Sequence, residues 1–420
     1  MPQIQAMEAA EVRSIVSGLG DELEPLLRDA CGGRLGKIAW FRADWQRGGA
    51  RTGRSTFRVE DGREVDVVVK VPVGPNEFTW NRRLQPGEVQ QHEPKQKPLQ
   101  SPDPGYPVYP TLHASGSSLG PYDLAWIVIE RLSEGPLFSL RREDAMELMA
   151  DAAARFYLQS SIYPVDKPPK TEDWTDLLEK ARENAQCNQI HQVQRWNSLI
   201  KKVQAIADDL RAEWDARPCV DWCHGDLHPA NAMSRSKKPG DPAMLIDLAG
   251  VHAGHWIEDA LYLERLYWPL AEYVKKHPPL KLIAQARTRY GLPVNNGYCR
   301  LADIRRLYFA ATAPAFLVSE GNPKYLDICL NLIEEKLAVL KSRPTTAAGV
   351  ATTGSEDRNA TGSASARASA NTSANANADS ANAAPVAPVV TTVTGTDKKT
   401  PADITPKTNG KLKKPNFDVA

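Results

Sequence analysis

Trp222-Cys223-His224-Gly225-Asp226-Leu227-His228-Pro229-Ala230-Asn231, answered downstream by Leu245-Ile246-Asp247-Leu248-Ala249-Gly250, is the stretch on which the reading of this chain turns. It sets a His, an Asp and an Asn in one short loop and returns, after Lys238-Pro239-Gly240-Asp241, with an Asp between apolar residues. Pro-Gly is a strong turn signal, so Ala232 to Arg235 and Ala243 to Ile246 are expected to pair as two short strands. Such a hairpin returns Asp247 to the loop that holds Asn231, and two oxygen donors then face one space. Hard oxygen donors suit Mg²⁺ bridging phosphate oxygens, and a nearby carboxylate suits the proton of an attacking hydroxyl. Asp226 is the candidate for that carboxylate.

The order His-x-Asp-x-x-x-x-Asn, followed by an apolar-flanked Asp, matches the catalytic loop and metal-binding Asp of kinases. On His224-Gly225-Asp226-Leu227-His228-Pro229 with Asn231, then Leu245-Ile246-Asp247, the chain resembles the aminoglycoside phosphotransferase family, the small-molecule branch of the protein-kinase-like fold. The resemblance extends over residues 35 to 343, strongly at the loop and weakly elsewhere. Two departures are Ala230, where the family usually has Gly, and Leu248, where an aromatic is common; neither removes a ligand. The resemblance implies an α+β, two-lobed fold: a small antiparallel β-sheet N-lobe, then a mainly helical C-lobe. It also implies ATP and Mg²⁺ as cofactors, Asp226 as the catalytic residue, Asn231 and Asp247 as metal ligands, and Asp259 as the acid that ties the following helix to the loop. A helix dipole alone also accounts for an acid at that position.

A zinc site is the competing chemistry, with His224, Asp226 and His228 helped by His252 and His255. Alternating ligands in a proline-containing loop do not match the usual zinc spacings. His224 reads as a structural histidine bracing the loop, and His228 stays open.

Upstream, Ile38, Trp40 and Arg42 alternate, as do Thr56 to Glu60 and Val65 to Val71, with Asp61-Gly62 as a hairpin turn. Arg47-Gly48-Gly49-Ala50-Arg51-Thr52-Gly53-Arg54-Ser55 is expected as a glycine-rich loop whose backbone N–H groups, Gly49's among them, approach phosphates. Lys70 closes Val67-Val68-Val69-Lys70, and a Lys in so apolar a strand needs an edge or an ion partner. In kinases this lysine contacts the α- and β-phosphates and pairs with a helical Glu. Glu88, opening a helix after Pro86-Gly87, is the assigned partner, with Glu77 and Glu93 competing. Thr111 to Gly116 reads as a fourth strand, and Leu124 to Leu132 as a buried strand. By the resemblance the latter is the last sheet strand running into the interlobe hinge, where backbone groups of Glu130 to Leu132 bind the adenine edge.

Beyond Gly135-Pro136 the period turns helical. Met146, Met149 and Ala153 mark one helix, Trp174 to Ala185 a second, and Val193, Trp196, Ile200, Val203, Ala207 and Leu210 a third; four segments follow between Ile257 and Lys341, with a break near Pro269. Val251 to His255 leaves no room for a peptide platform, whereas an insert at 171 to 214 offers walls for a compact acceptor, with Trp174, Glu179, Glu183 and Trp196 as lining candidates. The expected units are an N-terminal helical segment 1–34, a nucleotide-binding sheet lobe 35–132, a helical lobe 133–343 and a low-complexity tail 344–420. The tail, rich in Ala, Ser, Thr and Asn and ending in lysines, is expected to be disordered. With 52 Lys and Arg against 51 Asp and Glu, the chain has no electrostatic reason to bind nucleic acid or membrane. It lacks a membrane-length apolar run and a signal-peptide pattern, and its six cysteines form no Cys-x-x-Cys pair, which points to reduced thiols and the cytoplasm. The expected activity is transfer of a phosphoryl group from ATP to a hydroxyl of a small molecule. The alternative is a non-catalytic nucleotide-binding pseudokinase. Oligomeric state is not encoded in any of these patterns.

Overall fold

Val67, Val69 and Val71 are buried while Val68 and Lys70 are only half-buried, so β3 (Glu64–Val71) turns one face to a core and the other toward a cleft. The structure, a computed structural model, describes residues 20, 22–41, 50–85, 109–137, 143–236, 238 and 241–342. Around β3 lie β1 (Ala39–Phe41), β2 (Arg51–Arg58), β4 (Leu112–Gly116) and β5 (Trp126–Glu130), in one antiparallel sheet of order β1-β2-β3-β5-β4. Lys70 therefore sits on an inner strand, opposite Thr52 on one side and Ile127 on the other. The buried face packs Phe57, Val67, Val69 and Trp126 against Leu23 and Leu27 of α1 (22–30). Of the N-terminal helical segment expected at 1–34, residues 1–19 and 21 lie outside the described residues.

The glycine-rich loop is shorter than expected. β2 begins at Arg51, so Arg51 to Ser55 is strand, and Gly53 pairs with Trp40 and Val69. A Cβ at Gly53 would come within 2.3 Å of Ile38 Cγ2, so this glycine serves the approach of β1 rather than a phosphate. Gly48 and Gly49 lie outside the described residues.

A helix that the sequence reading did not anticipate follows β3 directly: α2 (Pro75–Arg83), with Pro at its first turn and Glu77 among its first residues. Glu88, Glu93 and the helix expected at 88 lie outside the described residues. Beyond β5 come α3 (Ala145–Ser160), α4 (Trp174–Cys187), α5 (Val193–Gln204), α6 (Ala207–Asp215), α7 (Ile257–Arg265), α8 (Ala271–Lys276), α9 (Pro279–Arg289), α10 (Tyr298–Thr312) and α11 (Pro323–Ser342). The third expected helix is thus two, α5 and α6, parted where Ile206 leaves helical geometry at φ −126°. The apolar spacing runs on unbroken because Val203, Ala207 and Leu210 all face one core. Two short pairs frame the predicted loop: β6 (Asp221–Cys223) with β9 (His252–Gly254), and inside them β7 (Ala232–Met233) with β8 (Met244–Leu245). Trp80 of α2 packs edge-on against Trp222 of β6, at 4.9 Å between ring centroids, so α2 belongs to the core of the helical part while it follows the sheet in sequence. No helix among the described residues is long and apolar enough to cross a membrane. The tail from 343 onward lies outside the described residues.

Candidate active site

The loop holding Asp226 is anchored by a carboxylate on α7. Asp259, 1% exposed, accepts the amides of His224 at 2.7 Å and Gly225 at 2.8 Å and the hydroxyl of Tyr157 at 3.0 Å. Gly225 adopts φ +81°, and a Cβ there would lie 2.0 Å from the Gly250 carbonyl oxygen, so only glycine lets the two loops cross. The buried His224 ring has both nitrogens occupied within the loop: Nε2 lies 3.1 Å from the Ile246 carbonyl and Nδ1 accepts the Asp226 amide at 3.3 Å. A carbonyl can only accept, so Nε2 carries the hydrogen, and burial lowers the pKa of this imidazole below its ordinary value. Neither nitrogen is left for zinc. Among the described residues the cluster with metal-ligand reach is instead Cys223, His252 and Glu258, and Glu258 is already engaged by Arg217 at 3.0 Å and His252 at 3.3 Å.

Asp226 is held from three directions. Its Oδ1 accepts the Tyr262 hydroxyl at 2.6 Å, its Oδ2 accepts Asn231 Nδ2 at 2.8 Å, and His228 Nε2 lies 3.4 Å from Oδ2. His228 Nδ1 accepts the Ala230 amide, so the nitrogen turned to Asp226 carries the hydrogen. Burial alone would raise the Asp226 carboxyl, but the His228 and Tyr262 contacts outweigh it and hold the pKa at about 2. Tyr262 lies three residues after Asp259 on the same face of α7, so one helix face anchors the loop and positions its carboxylate. That spacing was visible in the sequence; what Tyr262 faces was not.

Asn231 spends its amide nitrogen on the Asp226 carboxylate and carbonyl, which leaves its side-chain oxygen as the atom it can offer a cation. The Asn231 backbone carbonyl accepts the Ile246 amide at 2.9 Å, the link that returns Asp247 to the loop. Asp247 stands at φ +63°, a left-handed conformation that Asp tolerates better than most residues. Across the cleft, Lys70 Nζ lies 3.5 Å from Asp247 Oδ1 and donates to both oxygens of Glu77, at 2.6 and 2.8 Å. Burial opposes the ammonium charge, but Glu77 and Asp247 together hold the Lys70 pKa above its ordinary value. The partner of Lys70 is therefore Glu77 where Glu88 was expected, because α2 follows β3 after one short turn and lays its first turn beside Lys70. The same turn carries Asn76, whose amide donates to the Ala249 and Val251 carbonyls at 2.9 and 2.7 Å and ties α2 to the segment after Asp247.

At the expected hinge the Glu130 amide donates to the Thr111 carbonyl and the Arg131 amide to the Asp66 carbonyl, so both amides are used within the sheet. The Glu130 side chain forks onto Arg235, at 2.6 Å on each arm, and Leu132 is buried.

A cavity of about 160 Å³ opens beside Gly225 and Tyr262, walled by α4, α6, α7, α10 and the segment after it. The insert 171–214 contributes Glu172, Leu177 and Trp214 to it, but none of the four expected lining residues. Trp174 stacks on Tyr308 and Trp196 is buried in the core, while Glu179 pairs with Arg182. Helical spacing identified the segment but not which of its faces is turned to the cavity.

The model of the phosphotransferase enzyme family matches residues 46–275. Among solved structures the chain is similar to a putative aminoglycoside phosphotransferase from Ralstonia eutropha JMP134, at 12% identity and TM-score 0.46, over 77% of this chain and 98% of that one. It is similar at 15% identity and TM-score 0.41 to an aminoglycoside phosphotransferase from Alicyclobacillus acidocaldarius, over 74% and 92%. A spectinomycin phosphotransferase in complex with ADP and spectinomycin aligns at 11% identity and TM-score 0.42, over 77% and 97%. Comparison with curated proteins finds no match. The family model covers more than half of the 420 residues, and the chain belongs to the phosphotransferase enzyme family as a small-molecule kinase.

Proposed function

We propose that the chain transfers the γ-phosphoryl group of Mg·ATP to a hydroxyl of a small molecule. The observation that carries this is the meeting of Lys70, paired to Glu77, with Asp247 across the cleft from the loop that holds Asp226 and Asn231. The donor set fits the metal: Asp247 and the side-chain oxygen of Asn231 are hard ligands of the kind Mg²⁺ takes. When bound, the metal neutralises charge on the transferred phosphoryl group. Lys70 steadies the phosphates, and the Leu132 backbone with the neighbouring carbonyls receives the adenine edge. Asp226 orients the attacking hydroxyl, for which Oδ1 keeps a lone pair beyond the one given to Tyr262, while Oδ2 is taken by Asn231 and His228. A carboxyl held at about 2 is too weak a base to ionise an alcohol beforehand, so it takes the proton late, as the bond to phosphorus forms. Asp259 and His224 hold the loop. The division at Leu132 then separates nucleotide binding from catalysis and acceptor binding, and the free cysteines suit a cytoplasmic setting.

The cavity supports a compact acceptor. Its volume of about 160 Å³ is below the roughly 300–1,000 Å³ of pockets for drug-sized ligands, which suits one ring or a short chain.

The experiment compares two variants in Mg·ATP binding and in ADP release stimulated by a panel of hydroxylated metabolites and antibiotics. Asp226→Ala is expected to bind Mg·ATP as before and lose turnover by roughly 10²–10⁴-fold. Asp247→Ala is expected to lose Mg·ATP affinity as well. Equal nucleotide affinity in both would overturn the assignment. Tight Mg·ATP binding with no stimulated turnover by any acceptor would favour the pseudokinase.

A further inference from the structure

We propose that the acceptor is a hydroxy acid, whose carboxylate is received by Arg265 in the cavity beside Asp226. The proposal rests on the phosphotransfer reading of that site and names the class of its substrate.

The charges lining the cavity do not cancel. Its carboxylates are all engaged: Glu172 by a two-armed contact with Arg305, one arm at 2.9 Å, and Glu258 by Arg217, His252 and the His255 amide at 3.0, 3.3 and 2.8 Å. Asp259 is filled by the two loop amides and Tyr157. A cationic acceptor such as a polyamine sugar would find no open carboxylate on this wall.

Arg265 is the reverse case. Among the described residues no carboxylate lies within ion-pair distance of it, and its Nε is buried without a hydrogen-bond partner. Its guanidinium lies 4.3 Å from the Tyr262 ring centroid and 5.2 Å from that of Phe309, and approaches the Tyr262 hydroxyl. The Tyr308 hydroxyl, on the same cavity wall, is also buried and unpaired. A partly buried guanidinium with no anion is unfavourable, and its planar fork matches a carboxylate with two parallel hydrogen bonds. Tyr262 spans the distance to the reaction centre, since its ring carries Arg265 and its hydroxyl holds Asp226 Oδ1. An acid whose carboxylate sits on Arg265 is anchored one tyrosine ring away from Asp226, a span that its own carbon chain bridges to bring its hydroxyl to the Asp226 carboxylate.

The test measures binding and turnover separately on the full chain. Binding of glycerate and gluconate, their neutral counterparts glycerol and glucose, and the cationic ethanolamine and glucosamine is followed by calorimetry with Mg²⁺ and AMP-PNP present. The acids are expected to bind at least about tenfold tighter than the neutral compounds, the effect of one charge-assisted pair. Arg265→Gln should remove that preference, and Arg265→Lys should keep part of it. Ala313→Asp, which adds a carboxylate to the cavity wall and leaves Arg265 in place, should remove it too and guards against misfolding of the Arg265 variants. Nucleotide affinity should stay unchanged in all three. No preference for the acids, preference for the amines, or a preference that survives both Arg265→Gln and Ala313→Asp would overturn the proposal. Arg265-dependent binding of acids without ADP release on adding ATP would instead overturn the phosphotransfer reading and leave the anion site standing.

Discussion

Asp259→Asn is the substitution that separates the loop's anchor from its chemistry. The side chain keeps its shape but exchanges one acceptor oxygen for an NH₂ group. Oδ2 takes two donors, the His224 amide and the Tyr157 hydroxyl, while Oδ1 takes one, the Gly225 amide. Asparagine therefore places its NH₂ at the Oδ1 side, and one buried amide is left facing a donor. An unsatisfied buried donor costs about 1–3 kcal/mol, against a total stability of roughly 5–15 kcal/mol for a domain, so the variant folds. Asp259→Ala strands all three donors and should lose about 3 kcal/mol or more by the same measure. Gly225 precedes Asp226, and a displacement of about 1 Å in a reacting group can lower turnover about 100-fold. Urea denaturation should show the midpoint falling in the order wild type, Asn, Ala, and ADP release should show kcat of Asp259→Asn reduced by roughly 10–100-fold with a smaller change in Mg·ATP affinity. A wild-type urea midpoint together with wild-type kcat in Asp259→Asn would rule out the anchoring role.

Glu77→Gln removes the anion that holds Lys70 in place, and Lys70 is then free to turn wholly toward Asp247, 3.5 Å away. Mg·ATP affinity should drop about tenfold, in line with one charged hydrogen bond; unchanged affinity by calorimetry would remove Glu77 from the site. Stability should also depend on pH through His255, which is fully buried and faces Glu258, Arg217 and Arg287, and whose pKa burial lowers from 6.5 to about 4. A base with a depressed folded pKa contributes fully above its unfolded value, so about 3 kcal/mol should be lost as pH falls from 6.5 toward 4. Glu258, held at about 2 with an ordinary value of 4.5, adds its loss as pH falls below 4.5, and His252, raised above 6.5, acts on the alkaline side. His255→Asn should flatten the slope of urea midpoint against pH between 4.5 and 6.5; an identical slope would assign it to other groups.

The loop from His224 to Asn231 and its return at Asp247 were legible because their signal is local: a Pro-Gly dipeptide and a fixed spacing point to the β7–β8 pair that carries Asp247 back to Asn231. The strands around Lys70 and most helices were legible for the same reason, since a period of two or of three to four residues records which face is buried. Glu77 was open to inspection, with Gly74-Pro75 ahead of it as a helix start, yet Glu88 carried a similar Pro-Gly signal and only the placement of α2 beside β3 decides between them. Gly53 read as phosphate loop and proved to be a strand glycine under Ile38, because a missing side chain does not say what approaches it. Tyr262, Asn76 and Arg265 are ordinary residues in sequence, and nothing local sets them apart. Their roles come from the packing of α7 under the loop and of α2 across the cleft, contacts between segments far apart in the chain. Local order in the sequence thus determined the donor set and the elements that carry it. Tertiary packing alone decided which side chains surround those donors, because it depends on how whole faces meet.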